Sequence, residues 1–320
     1  MSAKAKIRKQ TESDFMKPSF LKTVCKHKIL LLMLIPAVAY VIIFSYIPMV
    51  GIIMAFKKFN YMDGIFGSPW NGLDNFRFLY ISGKLWTLTR NTMLYNIAFI
   101  MVGLVLQVGF AVIINELRLR RFKRVMQSFM FLPYFISWVV VVTVVRVVFG
   151  YENGVLTQLL DAAGLARLNI YVDPRPWPFL LVLMNAWKST GYGMIVYLAA
   201  VSGIDPGMYE AAEIDGANIW TRTFRITIPS LLPTIIIMVL LAVGQIFRGD
   251  FGMFYQLIGN NGVLLEVGDI IDLYVYRSMA SSSNIGMASA TGLYQSVLCF
   301  ITITATNWLV KRFEPDYSLF

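Results

Sequence analysis

Long apolar runs, rather than strand-like alternation, dominate the chain. Six of them are 18 to 28 residues long, at 29–56, 92–115, 125–149, 178–203, 230–247 and 285–310. A helix of roughly 20 residues spans a hydrocarbon layer about 30 Å thick. Four runs contain no Asp, Glu, Lys or Arg, and Arg146 and Lys188 are the only charges in the other two. The pattern predicts an all-α integral membrane protein with six transmembrane helices. The first run starts at Ile29, is long, and lacks a small-residue cleavage site, so it is expected to remain as an anchor.

Charge then orients the spans, because Lys and Arg accumulate on the cytoplasmic side. The connections before the first span, between the second and third, between the fourth and fifth, and after the sixth carry 17 Lys and Arg in 73 residues. The three connections on the opposite side (57–91, 150–177 and 248–284) carry 9 in 100. Both termini are therefore expected inside. The outer connections are long and hold aromatic and turn residues such as Gly64, Pro69 and Trp70. Two readings stay open for them: segments that fold on themselves or meet a partner, or short re-entrant or interfacial structure with no ligand role.

Composition sharpens the class. Only 14% of the 320 residues are charged and mean hydropathy is +0.63, against about 25% charged in soluble domains. A net charge of +10 on so apolar a chain reads as topology signal rather than nucleic-acid affinity. The chain has one histidine, His27, and two distant cysteines, Cys25 and Cys299, so no zinc motif and no metal site is expected. A proton-coupled carrier would want carboxylates at mid-membrane, and the six runs contain none. No GxxxxGK[ST] loop is present: Gly83-Lys84 lacks the preceding glycine and is followed by Leu85.

One connection has its own helix grammar. From Ile204 to Pro233 it reads IDPGMYEAAEIDGANIWTRTFRITIPSLLP. Asp205 suits an N-cap with Pro206 at the first helical position. Met208, Ala211, Ala212 and Asp215 share one face by i, i+3, i+4, i+7 spacing. Gly216 and Ala217 form a compact elbow, and Ile219, Trp220, Thr223 and Phe224 predict a second short helix before Pro229 and Pro233. Spacing alone allows two readings: a helix that docks in a groove of a cytoplasmic partner, or a linker packed under the spans.

Glu210-Ala211-Ala212, Asp215-Gly216-Ala217, Ile226, Ile228, Pro229 and Pro233 resemble the EAA loop of ABC importer permeases, with Ile228 where leucine often precedes the proline. The likeness continues through PMVGIIMAFKKFN (48–60), GSPWNGLDNF (67–76), INELR (114–118), LPYFISWVVV (132–141), YLAAVSGIDP (197–206) and IIDLYVYR (270–277). These stretches are similar to the carbohydrate-uptake branch, including permeases of alginate and other complex oligosaccharides. The resemblance implies a type I ABC importer permease fold, N-in and C-in, in a bacterial inner membrane. It implies a basic segment (1–28), a first helix (29–56), an extracytoplasmic loop (57–91), a core permease domain (92–310, coupling loop 204–229) and a tail (311–320). The implied partners are a second homologous permease, two ATP-binding subunits that hold ATP and Mg, and an extracytoplasmic solute-binding protein. The chain itself is then no enzyme. Tyr209, Glu210, Ala211, Ala212, Asp215, Gly216, Ala217 and Pro229 become the expected contact with the ATPase.

A sugar path needs aromatic faces beside hydrogen-bonding groups. Asn185, Trp187, Lys188, Tyr192 and Tyr197 in the fourth run, Gln245 and Arg248 with Asp250 after the fifth, and Tyr294 and Gln295 in the sixth fit that chemistry. Lys188 and Arg146 would suit an acidic sugar such as a uronate oligomer. Two plainer roles compete: Lys188 bound to a carbonyl or carboxylate, and Arg146 reaching the outer interface. Gly286/Ala290 and Ala288/Gly292 are small-residue pairs for close helix packing, either with a second permease or within this chain. Phe15, Phe20, Leu21 and Val24 among the N-terminal lysines suggest an interfacial elbow or a plain solvated tail. A neutral oligosaccharide or another solute, and a secondary sugar carrier, are the alternatives to acidic-oligosaccharide import.

Overall fold

The computed structural model describes residues 27–117, 119–280 and 284–313. The expected N-terminal elbow, Arg118 and residues 314–320 of the tail lie outside the described residues. The chain divides into two compact units, Met1–Ile53 and Met54–Phe320.

The first unit is built on helix α1 (Lys28–Val41), continued by a wider turn at Ile42–Tyr46 and a tighter stretch at Ile47–Phe56 whose last residues belong to the second unit. Lys28–Phe56 is apolar on every face, and none of its most apolar stretch is buried. A helix of that kind is suited to lipid rather than water.

The second unit contains α2 (Asp74–Ile81), α3 (Lys84–Glu116), α4 (Arg120–Phe135), α5 (Trp138–Phe149), α6 (Val155–Ala162), α7 (Trp177–Ser202), α8 (Pro206–Ile214), α9 (Ile219–Gly244), α10 (Phe251–Leu257), α11 (Ile271–Ala280) and α12 (Ile285–Phe313). Among the described residues, Lys28–Phe56, α3, α9 and α12 (to Arg312) are each long and apolar enough to cross a membrane. The α4–α5 pair makes a fifth crossing if it counts as one span. Helix α7, with 26 residues, has the length but carries Asn185, Lys188, Ser189 and Thr190 at its centre.

Two sequence expectations need correction. The run at 125–149 is not one straight helix, because α4 and α5 meet at 94°. Pro133 removes a backbone donor near the end of α4, Ile136 is extended, and Ser137 starts α5 by accepting from the Val140 amide at 3.4 Å. The second short helix after the elbow is the first part of α9, which runs unbroken through a wide turn at Thr223–Thr227. The connection 248–284 is itself folded, with Met253, Phe254, Ile271 and Leu273 fully buried. Met253, Phe254, Leu257 and Ile258 form an i, i+1, i+4, i+5 stripe that packs on Val141, Val145, Trp177 and Leu181.

Helices α3 and α7 share the most extensive interface, with Ala111, Ile114, Met194, Tyr197 and Leu198 as its buried set. A separate core gathers Ala55, Leu79, Leu88, Ile271 and Ala290. The connection 57–91 folds on itself. Lys57 is buried, its ammonium donates to the carbonyls of Ile65 (3.1 Å) and Phe66 (2.6 Å), and it lies 5.4 Å from the Trp70 ring centre. Asn75 donates to the carbonyls of Ala55 (2.8 Å) and Lys57 (3.1 Å).

Candidate coupling helix and substrate path

Helix α8 is closed at both ends by its own residues. The Asp205 carboxylate accepts from the Gly207 amide at 2.9 Å, and Pro206 occupies the position where a missing N–H costs nothing. At the other end Gly216 adopts φ +76°, the left-handed region. The Gly216 amide donates to the Glu213 carbonyl and the Ala217 amide to the Ala212 carbonyl, at 3.1 and 2.9 Å. This is a Schellman closure, which satisfies carbonyls that a helix end leaves free. Asn218 then caps α9, accepting from the Thr221 amide at 2.8 Å.

Glu210, Ala211, Asp215, Gly216 and Pro229 are exposed, and Tyr209, Ala212 and Ala217 are half-buried. Tyr209 shares a hydrogen bond with Thr227 at 3.0 Å, which ties α8 to α9. Arg222, absent from the sequence expectations, is the hub below them. It pairs with Glu213 on α8 at 3.0 Å and with Glu116 at the end of α3 at 3.6 Å. An arginine at Glu213 + 9 has no helical periodicity to betray it, so no local signal was available. Ile214, 87% exposed, leads an uncovered apolar edge with Met208, Trp220 and Phe224.

The residues expected along a sugar path do not form one group. Lys188 satisfies the broken end of α4: its ammonium reaches the carbonyls of Pro133 (3.3 Å), Tyr134 (2.7 Å) and Ile136 (2.5 Å). A cation at a helix C-terminus also meets the negative end of the helix dipole. Tyr192, one turn on, stacks on Tyr134 with ring centres 4.7 Å apart. Gly191 lets α7 approach the same element, since a Cβ there would sit 1.9 Å from the Met130 carbonyl oxygen.

Tyr192 and buried Tyr197 line a cleft of about 250 Å³ between α3, α7 and α9. Ser189 and Gln107 line it too, and Gln107 escaped sequence reading because it is a lone amide in an apolar run. Trp187 is 45% exposed, and Asn185 accepts from Ser189. Gln245 and Arg248 are exposed at the end of α9. Tyr294 hydrogen-bonds Thr89 at 2.9 Å, so its hydroxyl serves the α3–α12 contact. Gln295 is buried, donating to the Phe247 carbonyl (2.7 Å) and to Asp272 (2.9 Å), which also accepts from the Gly249 amide (2.7 Å). Asp250 accepts from the Trp138 indole at 2.9 Å and caps α10.

A fully buried carboxylate also sits in the 248–284 segment. Asp269 is paired with Arg277 at 2.6 Å, with Lys84 4.0 Å away. Burial pushes its carboxyl above the usual range, against the pull of Arg277 and then Lys84. On α12, Gly286 packs within this chain, because a Cβ would meet the Lys57 carbonyl at 2.9 Å, whereas Gly292 faces open space.

Residues 107–315 match the model of the binding-protein-dependent transport system inner membrane component family. The chain belongs to that family. Relatives of this permease include the protein LplB of Bacillus subtilis, 32% identical over 93% of both chains. Another is the polygalacturonan/rhamnogalacturonan transport system permease protein YteP of the same organism, 30% identical over 91% of this permease and 90% of that one. Among solved structures, a bacterial ABC transporter involved in importing the acidic polysaccharide alginate matches with a TM-score of 0.83 at 30% identity. It covers 92% of this permease and 99% of that chain. A complex of the bacterial alginate ABC transporter with its periplasmic protein, bound to an alginate pentasaccharide, matches with the same TM-score at 29% identity.

Proposed function

We propose that this chain is one of two permease subunits of an ATP-driven importer, moving oligosaccharides delivered by a solute-binding protein across a bacterial inner membrane. The preferred substrate is acidic, a uronate oligomer. Likeness to transporters of alginate and of polygalacturonan supports that choice. In this reading α7 and the α4–α5 pair each cross the membrane, giving six spans with both termini inside.

The observation that carries the coupling mechanism is the α8–Gly216 elbow: a short, exposed helix, closed locally at both ends and pinned by Arg222 to α3 and α9. The partner ATPases, which bind ATP and Mg, dock on Glu210, Ala211, Asp215 and Gly216, with Tyr209, Ala212, Ala217 and Pro229 behind them. Closure of the ATPases moves α8, and Arg222 passes the displacement to two long helices. Docking alone shifts no equilibrium, so these contacts must differ between inward- and outward-facing states. Sugars then pass the aromatic and amide groups near Tyr192, Tyr197, Trp187, Asn185, Gln245 and Arg248, while Lys188, Tyr294 and Gln295 hold the path's walls.

The test is purification from native membranes in mild detergent. A homologous six-span chain and a phosphate-loop ATPase should co-elute, and uronate oligomers with the cognate binding protein should stimulate ATP hydrolysis. Elution alone from a gentle preparation overturns the importer reading. Stimulation by neutral oligosaccharides only overturns the acidic substrate.

A further inference from the structure

Arg146 has no place in the mechanism above, yet it lines a cleft of about 390 Å³ with Tyr171, Tyr255, Gln256, Gly259 and Asn260. Four observations bear on what this cleft holds. Arg146 is exposed near the end of α5, with Tyr171 inside its electrostatic reach. The Tyr171 hydroxyl is buried and has no hydrogen-bond partner among the described residues, a costly condition that a bound polar group would relieve. The Tyr255 ring is stacked on Phe251 at 5.2 Å and met edge-on by Tyr276 at 4.9 Å, so it is held in place. The wall that carries Asn260 is also fixed, since Asn261 donates to the Tyr171 carbonyl at 3.0 Å and accepts from the Val263 amide at 3.1 Å.

We propose that this cleft is a subsite for one carboxylate-bearing sugar unit at the outer mouth of the permease, a reading that rests on the import function and orientation proposed above. The Arg146 guanidinium has the planar fork that matches a carboxylate in two hydrogen bonds. The Tyr171 hydroxyl supplies a further donor. Gln256 and Asn260 amides offer both donors and acceptors to ring hydroxyls, and Tyr255 offers an apolar face to the sugar ring. A neutral sugar would leave the guanidinium without its counter-charge. The subsite therefore selects acidic units as they leave the binding protein, before the narrower path beside Tyr192 and Tyr197.

The test uses the complete transporter with its binding protein in vesicles, reading ATP hydrolysis and uptake of tetragalacturonate against a neutral tetrasaccharide. Arg146→Gln should raise the tetragalacturonate concentration for half-maximal stimulation by about ten-fold or more, as expected for loss of charge-assisted hydrogen bonds. Arg146→Lys should restore part of that loss, and Tyr171→Phe should lose a smaller factor. An unchanged tetragalacturonate response in Arg146→Gln overturns the subsite while the import function stands. Equal weakening of both responses overturns it too, and makes Arg146 a docking contact for the binding protein. Wild-type stimulation by the neutral sugar alone overturns the acidic subsite but not the importer. Wild-type silence toward both, in an intact complex, overturns the import function itself.

Discussion

Helices α8 and α4 both stop abruptly, and they close their ends in opposite ways. The end of α8 is satisfied within six residues, by the Gly216 and Ala217 amides folding back on Glu213 and Ala212. The end of α4 is satisfied by an ammonium from more than fifty residues away, Lys188 on α7. Local closure leaves the flank of α8 uncovered, with Ile214 and Glu210 exposed and available to a partner. Remote closure locks α4 to α7 and makes their crossing part of the rigid body. One helix end is built to be touched, the other to hold.

The sharpest way to break this contrast is Gly216→Pro. Proline fixes φ near −65°, against the +76° found here, and removes the amide that closes α8. The elbow is expected to reopen while the chain still inserts, and substrate-stimulated ATP hydrolysis of the assembled complex should fall to background. Unaltered stimulation would show that the elbow carries no coupling. Gly216→Ala is the control: a Cβ meets nothing within 4 Å among the described residues, so the left-handed backbone is what is strained, at about 1 kcal/mol.

Gly191→Ala makes the matching change in the α4–α7 seam with the opposite balance. Its Cβ collides with the Met130 backbone oxygen at 1.9 Å, and backbone cannot move aside cheaply. Overpacking of this kind costs about 1–3 kcal/mol. Thermal unfolding in detergent should therefore report a larger loss for Gly191→Ala than for Gly216→Ala. Lys188→Met removes the ammonium from three carbonyls and should cost about 2 kcal/mol, given the worth of charged hydrogen bonds. A smaller loss than Gly216→Ala would mean that water replaces Lys188 at the end of α4.

The same contrast decides what the sequence could reveal. Asp205, Pro206 and Gly216 act on neighbours, so cap, first turn and elbow are readable from spacing. The apolar runs are equally local, and their positions agree with α3, α9 and α12 to within several residues at most ends. The 94° break is not readable, although Pro133 and Ser137 lie beside it, because proline is tolerated inside membrane helices and the ammonium that satisfies the broken end comes from distant Lys188. The depth to which 248–284 is buried is not readable, because Asp269, Asp272 and Arg277 are of types that usually face solvent. They are neutralised instead by one another's neighbourhood: Asp269 with Arg277, Asp272 with Gln295 and the Gly249 amide. Candidate path residues scattered for the same reason. A tyrosine or glutamine in a span has the same spelling whether it faces a sugar or, like Gln295, a backbone carbonyl.

The smallest expected effect on stability belongs to Arg222→Ala, and it separates holding from transmitting. Glu213 is well exposed, so its pair with Arg222 contributes at most about 1 kcal/mol and is screened by salt. The contact with Glu116 at 3.6 Å is longer, although its partners are more enclosed. Thermal unfolding should therefore shift little. Coupling should suffer more, because Arg222 links α8 to the end of α3 and belongs itself to α9. Substrate-stimulated ATP hydrolysis should drop several-fold while the complex still assembles, and Glu116→Gln should reproduce part of the defect. Combining Arg222→Ala with Glu116→Gln should add little beyond the arginine change alone, since both remove one shared contact. Additive losses would instead mean that Glu116 and Arg222 act through separate partners, and that α8 moves α9 without engaging α3.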